Sequence, residues 1–570
     1  MTKPVKYTLL TVLVLLALGA GFALWPPSGP TADQRSTERA TLTASIRREP
    51  SIYNRYFEAS AAGDLVSRLT DGRLIRVDPI SELVEPALAE RWTQSDDGLV
   101  YTLFLRRDVR FSDGVPFTSA DVLFSARVLY ELGSALRAPT LIDGKPLAFA
   151  APDPWTVSVT LPAPFAPGLR LLDNLPILPR HKLEAALNDK RLEEAWVAGT
   201  PLTEITGLGP FVLKEHVTGQ RLEFVRNPHY WRKDSDGTQL PHLDGITVLI
   251  IPDQNTETLR LGAGEIDLMT NGEMRPEDYA TFKRAADENR VVLHDAGVGT
   301  DPNLLWFNLT DGSRARLPWF HDSRVRQAIS YAVNRQAIVD TVYLGAAVPI
   351  YGPVSPANRM WYSATAPQYV HDRQRAAALL AAAGLTDRNG DGMLDDTTGR
   401  PVRFSILTQK GSTLRERTAS LIQAHLKEVG LAVDVVALAG GAMQEKHANG
   451  EYDTMYFGVQ ASSLDPALNL DFWTSKGAFH FWNPNQAVAS TPWEAEVDAL
   501  MTRQAAASTL ADRQQIFAEV QRILGEQVPA IYFVAPRVTI AVNPHIRNVV
   551  PFAQSPQVLW NADMLAVDRR

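Results

Sequence analysis

The chain is 570 residues long, 45% hydrophobic and 21% charged, with a formal net charge of -8 and no cysteine. That length exceeds what one core can serve, so two or three domains are expected, and the composition excludes overall disorder. The negative balance, without Arg/Lys clusters interleaved with aromatics, excludes a nucleic-acid binder, and the missing thiols exclude disulfides, zinc-thiolate sites, iron-sulfur clusters and thiol catalysis.

Lys3 and Lys6 precede an uncharged run over 7–25 that ends at Pro26, Pro27, Gly29 and Pro30. The run is about long enough to cross roughly 30 Å of hydrocarbon, so residues 1–25 are expected to form an uncleaved transmembrane anchor. The two lysines would stay in the cytoplasm and everything after Trp25 would lie outside. Ala17, Ala20 and Ala23 leave signal-peptide cleavage open, which would release a soluble periplasmic protein. Residues 26–40, rich in Pro, Ser, Thr and charge, read as a linker.

A first strand is expected at 41–46 and a helix at 64–69, followed by a turn at Asp71-Gly72. Pro86 suits the first turn of a short helix carrying Leu88 and Trp92, residues 99–105 read as a strand, and Val109 and Phe111 start a second run. Thr118 and Asp121 are spaced as a capping box for a helix with an apolar stripe at Val122, Leu123, Ala126 and Leu129. Beyond a half-buried strand at 155–161 and a charged helix at 182–196 comes Gly207-Leu208-Gly209-Pro210-Phe211. This turn lacks the lysine and hydroxyl of a phosphate loop and puts a proline where amide donors are needed. Strands are expected at 211–215 and 241–251, a helix stop at Gly264, a strand at 304–309, and helices begun by Asp322 or Ser323 and by Asn334.

After an Ala-Leu-rich helix at 373–384, Asp387, Asn389, Asp391 and Asp395 occupy positions 1, 3, 5 and 9 of a calcium loop, with Gly392 at the sharp turn. Thr398 stands where the bidentate Glu belongs, so any ion would be weakly held and structural; the competing reading is a polar hairpin. No other cofactor is expected. An αβ element follows at 414–436, then a strand at 452–459, a last helix at 511–525 and strands at 530–534 and 538–542. Phe472, Trp473, Phe479, Phe481, Trp482 and Trp493 crowd one region, either lining a pocket or filling a core. No serine-hydrolase elbow, paired-histidine zinc motif, Walker loop or dinucleotide fingerprint is present.

The wording EPALAERW, DDGLVYTLFLR and VRFSDGVPFTSADVLFS resembles the signature segment of class C (family 5) extracytoplasmic solute-binding proteins of oligopeptide, dipeptide and nickel ABC importers. Asn227-Pro228-His229-Tyr230-Trp231 and VRQAISYAVNRQAIV are further family-like segments in the expected order, so the likeness covers roughly 41–536. The resemblance implies an α/β, two-lobed periplasmic-binding-protein-like fold (type II, class C) with an extra subdomain in the first lobe. The first lobe would take 41–68 and 200–300, the subdomain 69–199 and the second lobe 301–535, with 536–570 returning to the first.

The resemblance also nominates ligand contacts: Tyr53 and Asn54 after the first strand, with ordinary loop positions as the competing reading, and Asn303, Trp306 and Asn308 where the chain crosses lobes. Asp465-Pro466 holds the register of a motif whose first Asp binds a peptide's free ammonium, and Ser462 stands at that Asp. A serine cannot supply the charge, so either Asp465 or Asp471 takes over or the ligand has no amine there. Trp473 and Trp482 complete the candidates. The expected function is a monomeric receptor that closes on a peptide or other small solute and delivers it to ABC permease subunits without chemistry. The alternatives are a membrane-anchored sensor and, in a different class, a glycoside- or peptide-hydrolysing enzyme, since paired carboxylates leave no spacing rule.

Overall fold

The computed structural model describes residues 40–568, apart from 133, 135, 271–273, 459–464 and 555. The first strand, Thr41–Ile46, runs inside a five-stranded sheet, parallel to Gly245–Ile250 on one edge and to Leu268–Met269 on the other. The hairpin of Phe211–Val217 and Arg221–Arg226 completes this sheet beyond Gly245–Ile250. Parallel strands are normally covered on both faces. Leu42, Ala44 and Ile46 accordingly enter the main core, while the buried Ser45 donates its hydroxyl to Glu257 at 2.8 Å. Glu257 lies on the helix Gln254–Ala263, which Asp253 caps; Gly264 ends it in the left-handed conformation at φ 77°, at the helix stop the sequence predicts.

The second lobe repeats the plan, with a sheet ordered Ala432–Leu438, Arg403–Gln409, Thr454–Phe457, Leu304–Phe307, Ala530–Tyr532. Val325, Ala328, Ile329 and Ala332 follow helical spacing along Ser323–Ala332 and are sealed against Phe404, Ile406 and Ile422. Two strands pass between the lobes. Val292–Val298 leads from the first lobe toward Leu304–Phe307, and Val534–Val542 returns antiparallel to it. Val534 packs in the second lobe's core, while Val538, Ile540 and Val542 pack in the first lobe's. A bulge interrupts their register between Asp295 and Val298, with Gly297 at φ 93°.

The subdomain is a four-stranded antiparallel sheet, Ala89–Gln94, Val100–Leu105, Thr156–Thr160, Ala148–Asp153, packed on the helix Ser119–Glu131. That helix carries the predicted capping box, Thr118 with Asp121. The short helix expected at Pro86 does not form. Val84–Pro86 pairs with Ile75–Val77, and Ala89–Gln94 pairs with Val100–Leu105, placing Arg91 over the Phe104 ring at 3.5 Å. Cross-strand packing overrides local helix preference here. Val109 and Phe111 are buried, but their segment is a tight turn closed by an isolated bridge between Arg110 and Pro116.

The expected anchor over 1–25 and its linker fall, but for Ala40, outside the described residues. Among the described residues no helix is long and apolar enough to cross a membrane.

Candidate ligand-binding site

Between the subdomain, the first lobe and the second lobe lies a cavity of about 730 Å³, inside the range of about 300–1,000 Å³ usual for small-molecule sites. Its floor is the chain leaving the helix Ala61–Thr70, which Ser60 caps by accepting the Gly63 amide. Gly207 and Gly209 pass directly against the end of that helix. The Gly209 amide donates to the Thr70 carbonyl at 2.8 Å, and a Cβ on Gly209 would lie 2.5 Å from the Thr70 carbonyl carbon. These glycines therefore permit backbone contact under the floor, and the segment is no phosphate cradle.

Five arginines line it, Arg68, Arg73, Arg76, Arg170 and Arg232, together with the aspartates Asp71, Asp173, Asp301 and Asp563. Arg68 pairs with Asp64 at 2.7 Å, Arg76 with Glu85 at 2.6 Å, and Arg232 with Asp563 at 2.5 Å. Asp563 also accepts the Tyr230 hydroxyl at 2.9 Å, which ties the NPxYW segment to the returning C-terminal chain. Arg73 donates to the Ser67 hydroxyl at 3.2 Å, and Arg170 to the Glu82 carbonyl at 3.3 Å. Burial raises Asp71 to about 6 against the pull of Ser67, Arg73 and Thr70, and it raises Asp173 against the pull of Arg73 and Arg68. Trp231, held under Arg106 at 4.4 Å, and Trp560 add aromatic walls. The second lobe contributes Leu468 and Asn469, and Asp301 lies on the segment between the lobes. That lobe also touches the subdomain through Ala467 and Ala505, the Ala505 carbonyl accepting the Ala166 amide at 2.7 Å.

Residues 84–481 match the family described as bacterial extracellular solute-binding proteins, family 5 Middle. The chain belongs to this family. A probable ABC transporter-binding protein of Deinococcus radiodurans is 27% identical over 558 residues, covering 93% of each chain. The oligopeptide-binding protein AppA of Bacillus subtilis is 26% identical over 550 residues, again 93% of each. Among solved structures, the ABC transporter substrate-binding protein CtaP of Listeria monocytogenes superposes with a TM-score of 0.74 at 21% identity, over 92% of this chain and 99% of that one. That likeness establishes the shared two-lobed α/β fold.

In this family 5 protein, none of the described residues nominated for ligand contact lines the cavity. The Tyr53 hydroxyl lies 2.5 Å from His216 Nδ1, and His216 Nε2 lies 2.8 Å from Glu49, pinning the segment after the first strand to a neighbouring hairpin. Asn54 is buried and accepts the Tyr56 amide. Asn303 accepts from Arg415 at 2.8 Å, the Trp306 indole donates to the Phe457 carbonyl at 2.9 Å, and Asn308 donates to the Tyr452 carbonyl at 2.7 Å. Asp465 is sealed against Arg513, bound at 2.9 and 2.5 Å. Trp473 packs edge-on to Phe472 and Phe517, and Trp482 donates to Glu494 at 3.1 Å, so these rings build core. Ser462 lies outside the described residues.

In the 387–395 loop the side-chain oxygens turn to their own backbone. Asp387 accepts the Gly390 and Gly392 amides at 2.7 and 2.9 Å, Asn389 accepts that of Asp391, Asp391 that of Met393, and Asp395 that of Arg388. Among the described residues no group of three or more His, Cys, Asp or Glu is arranged to hold a metal ion. The lining residues Arg73, Arg170, Trp231 and Trp560 escape sequence reasoning because they come from four separate segments. One local signal exists: Arg68 in the last turn of the helix Ala61–Thr70 is followed closely by Arg73 and Arg76.

Proposed function

We propose that this protein is an extracytoplasmic receptor of an ABC importer, which binds a small solute of the peptide class in the interlobe cavity and delivers it to permease subunits by lobe closure. No covalent step is involved. The observation that carries this reading is a cavity walled by both lobes, between which the antiparallel strands Val292–Val298 and Val534–Val542 cross. A solute touching both walls stabilises the closed arrangement by its differential contacts, and closure is what a membrane partner can read. The peptide class is supported by the name of the Bacillus subtilis relative, an oligopeptide-binding protein. Tethering to the inner membrane is supported by the uncharged run over 7–25 behind Lys3 and Lys6.

The test is small-angle X-ray scattering of the protein stripped of bound solute, before and after adding members of a library of di- to pentapeptides. At least one member is expected to bind stoichiometrically and reduce the radius of gyration. Unchanged scattering and no binding across the library would contradict the peptide reading.

A further inference from the structure

We propose that the solute carries a carboxylate, received by the guanidinium groups of Arg73 and Arg170. This rests on the receptor reading above and narrows it to acidic solutes. Both arginines line the cavity and both are half-buried. Each spends one hydrogen bond on the protein, Arg73 on the Ser67 hydroxyl and Arg170 on the Glu82 carbonyl. Among the described residues neither has a carboxylate within ion-pair distance, whereas Arg68, Arg76 and Arg232 each have one. A guanidinium offers five N–H donors in a planar fork that matches a carboxylate, so most of the donor capacity of both groups remains for an occupant of the cavity.

The surrounding charges leave this role open. Asp563 is engaged by Arg232 and Tyr230, and Asp301 also has a partner. Asp71 accepts from the Thr70 hydroxyl at 3.1 Å, and although Asp71 and Asp173 both attract Arg73 through space, neither forms an ion pair with it among the described residues. The described second-lobe residues on the wall, Leu468 and Asn469, carry no charge, and Asp465 beside them is held by Arg513. Recognition of an acidic group therefore falls to the subdomain side, and the second lobe supplies a neutral cover.

The test titrates the full chain calorimetrically with the di- to pentapeptide library in two forms. One form consists of free acids containing Glu; the other consists of C-terminal amides with Gln replacing Glu. The acid form is expected to bind about 10- to 100-fold more tightly, the worth of a charge-assisted hydrogen bond or two. Arg73→Gln and Arg170→Gln should each erase most of that preference by weakening the acid form far more than the amide form, and Arg73→Lys should restore part of it. Circular dichroism confirms that each variant folds. Equal binding of the two forms, or a preference untouched by both Gln variants, overturns the carboxylate inference and leaves the receptor standing. Binding of neither form overturns the peptide reading and the inference together.

Discussion

Arg513 and Asp465 form a bidentate pair that is almost wholly buried, 8% and 3% exposed at their side chains. Removing one partner strands an uncompensated charge, which is far more costly than replacing both. Arg513→Met is therefore expected to lower unfolding free energy by about 3–5 kcal/mol, and adding Asp465→Leu should recover much of the loss; urea denaturation of both variants measures the difference. Asp71 behaves in the opposite sense to a paired carboxylate. Its folded-state value of about 6 stands above the ordinary 3.8 because burial disfavours its charge. Its contribution to stability is thus fully present below about 3.8 and lost as pH rises through about 6. Asp71→Asn should leave the melting temperature unchanged at pH 4 and raise it at pH 7, and a pH-independent offset would show that burial does not set this group's charge.

At the scale of elements, the turn Gly207-Leu208-Gly209 supports the cavity floor through the end of the helix Ala61–Thr70. Gly209→Ala would press a methyl group into the Thr70 backbone, where little can give. The expected cost is about 1–3 kcal/mol, with peptide affinity falling alongside because Asp71 and Arg73 follow directly; thermal melting and calorimetry report the two effects separately. Such elements were legible where the signal is local. Thr118 with Asp121, Gly264 as a helix stop, and Asp322 and Asn334 as caps act within a few residues, and each stands where the spacing places it. The reading of 86–92 as helix failed because strand pairing with Val100–Leu105 is a non-local choice. The cavity was illegible for the same reason: Arg73, Arg170, Trp231 and Trp560 are neighbours only after the subdomain folds and the C-terminal chain returns. Aromatic crowding at Phe472, Trp473 and Trp482 carried no such information, since a core and a pocket ask for the same residues.

For the whole molecule, the crossing strands decide what the fold can do. Each lobe has its own sheet and its own core, and the bulge at Asp295 to Val298 gives the connection a place to bend. The contacts of Ala467 and Ala505 with the subdomain close one side of the cleft over the cavity. The most direct measurement is a crystal structure of the chain loaded with the tightest-binding free-acid peptide of the library. The account predicts continuous density inside the 730 Å³ cavity, with a carboxylate against Arg73 or Arg170 and the second lobe covering it. Density for the peptide elsewhere on the molecule, with this cavity empty, would contradict it.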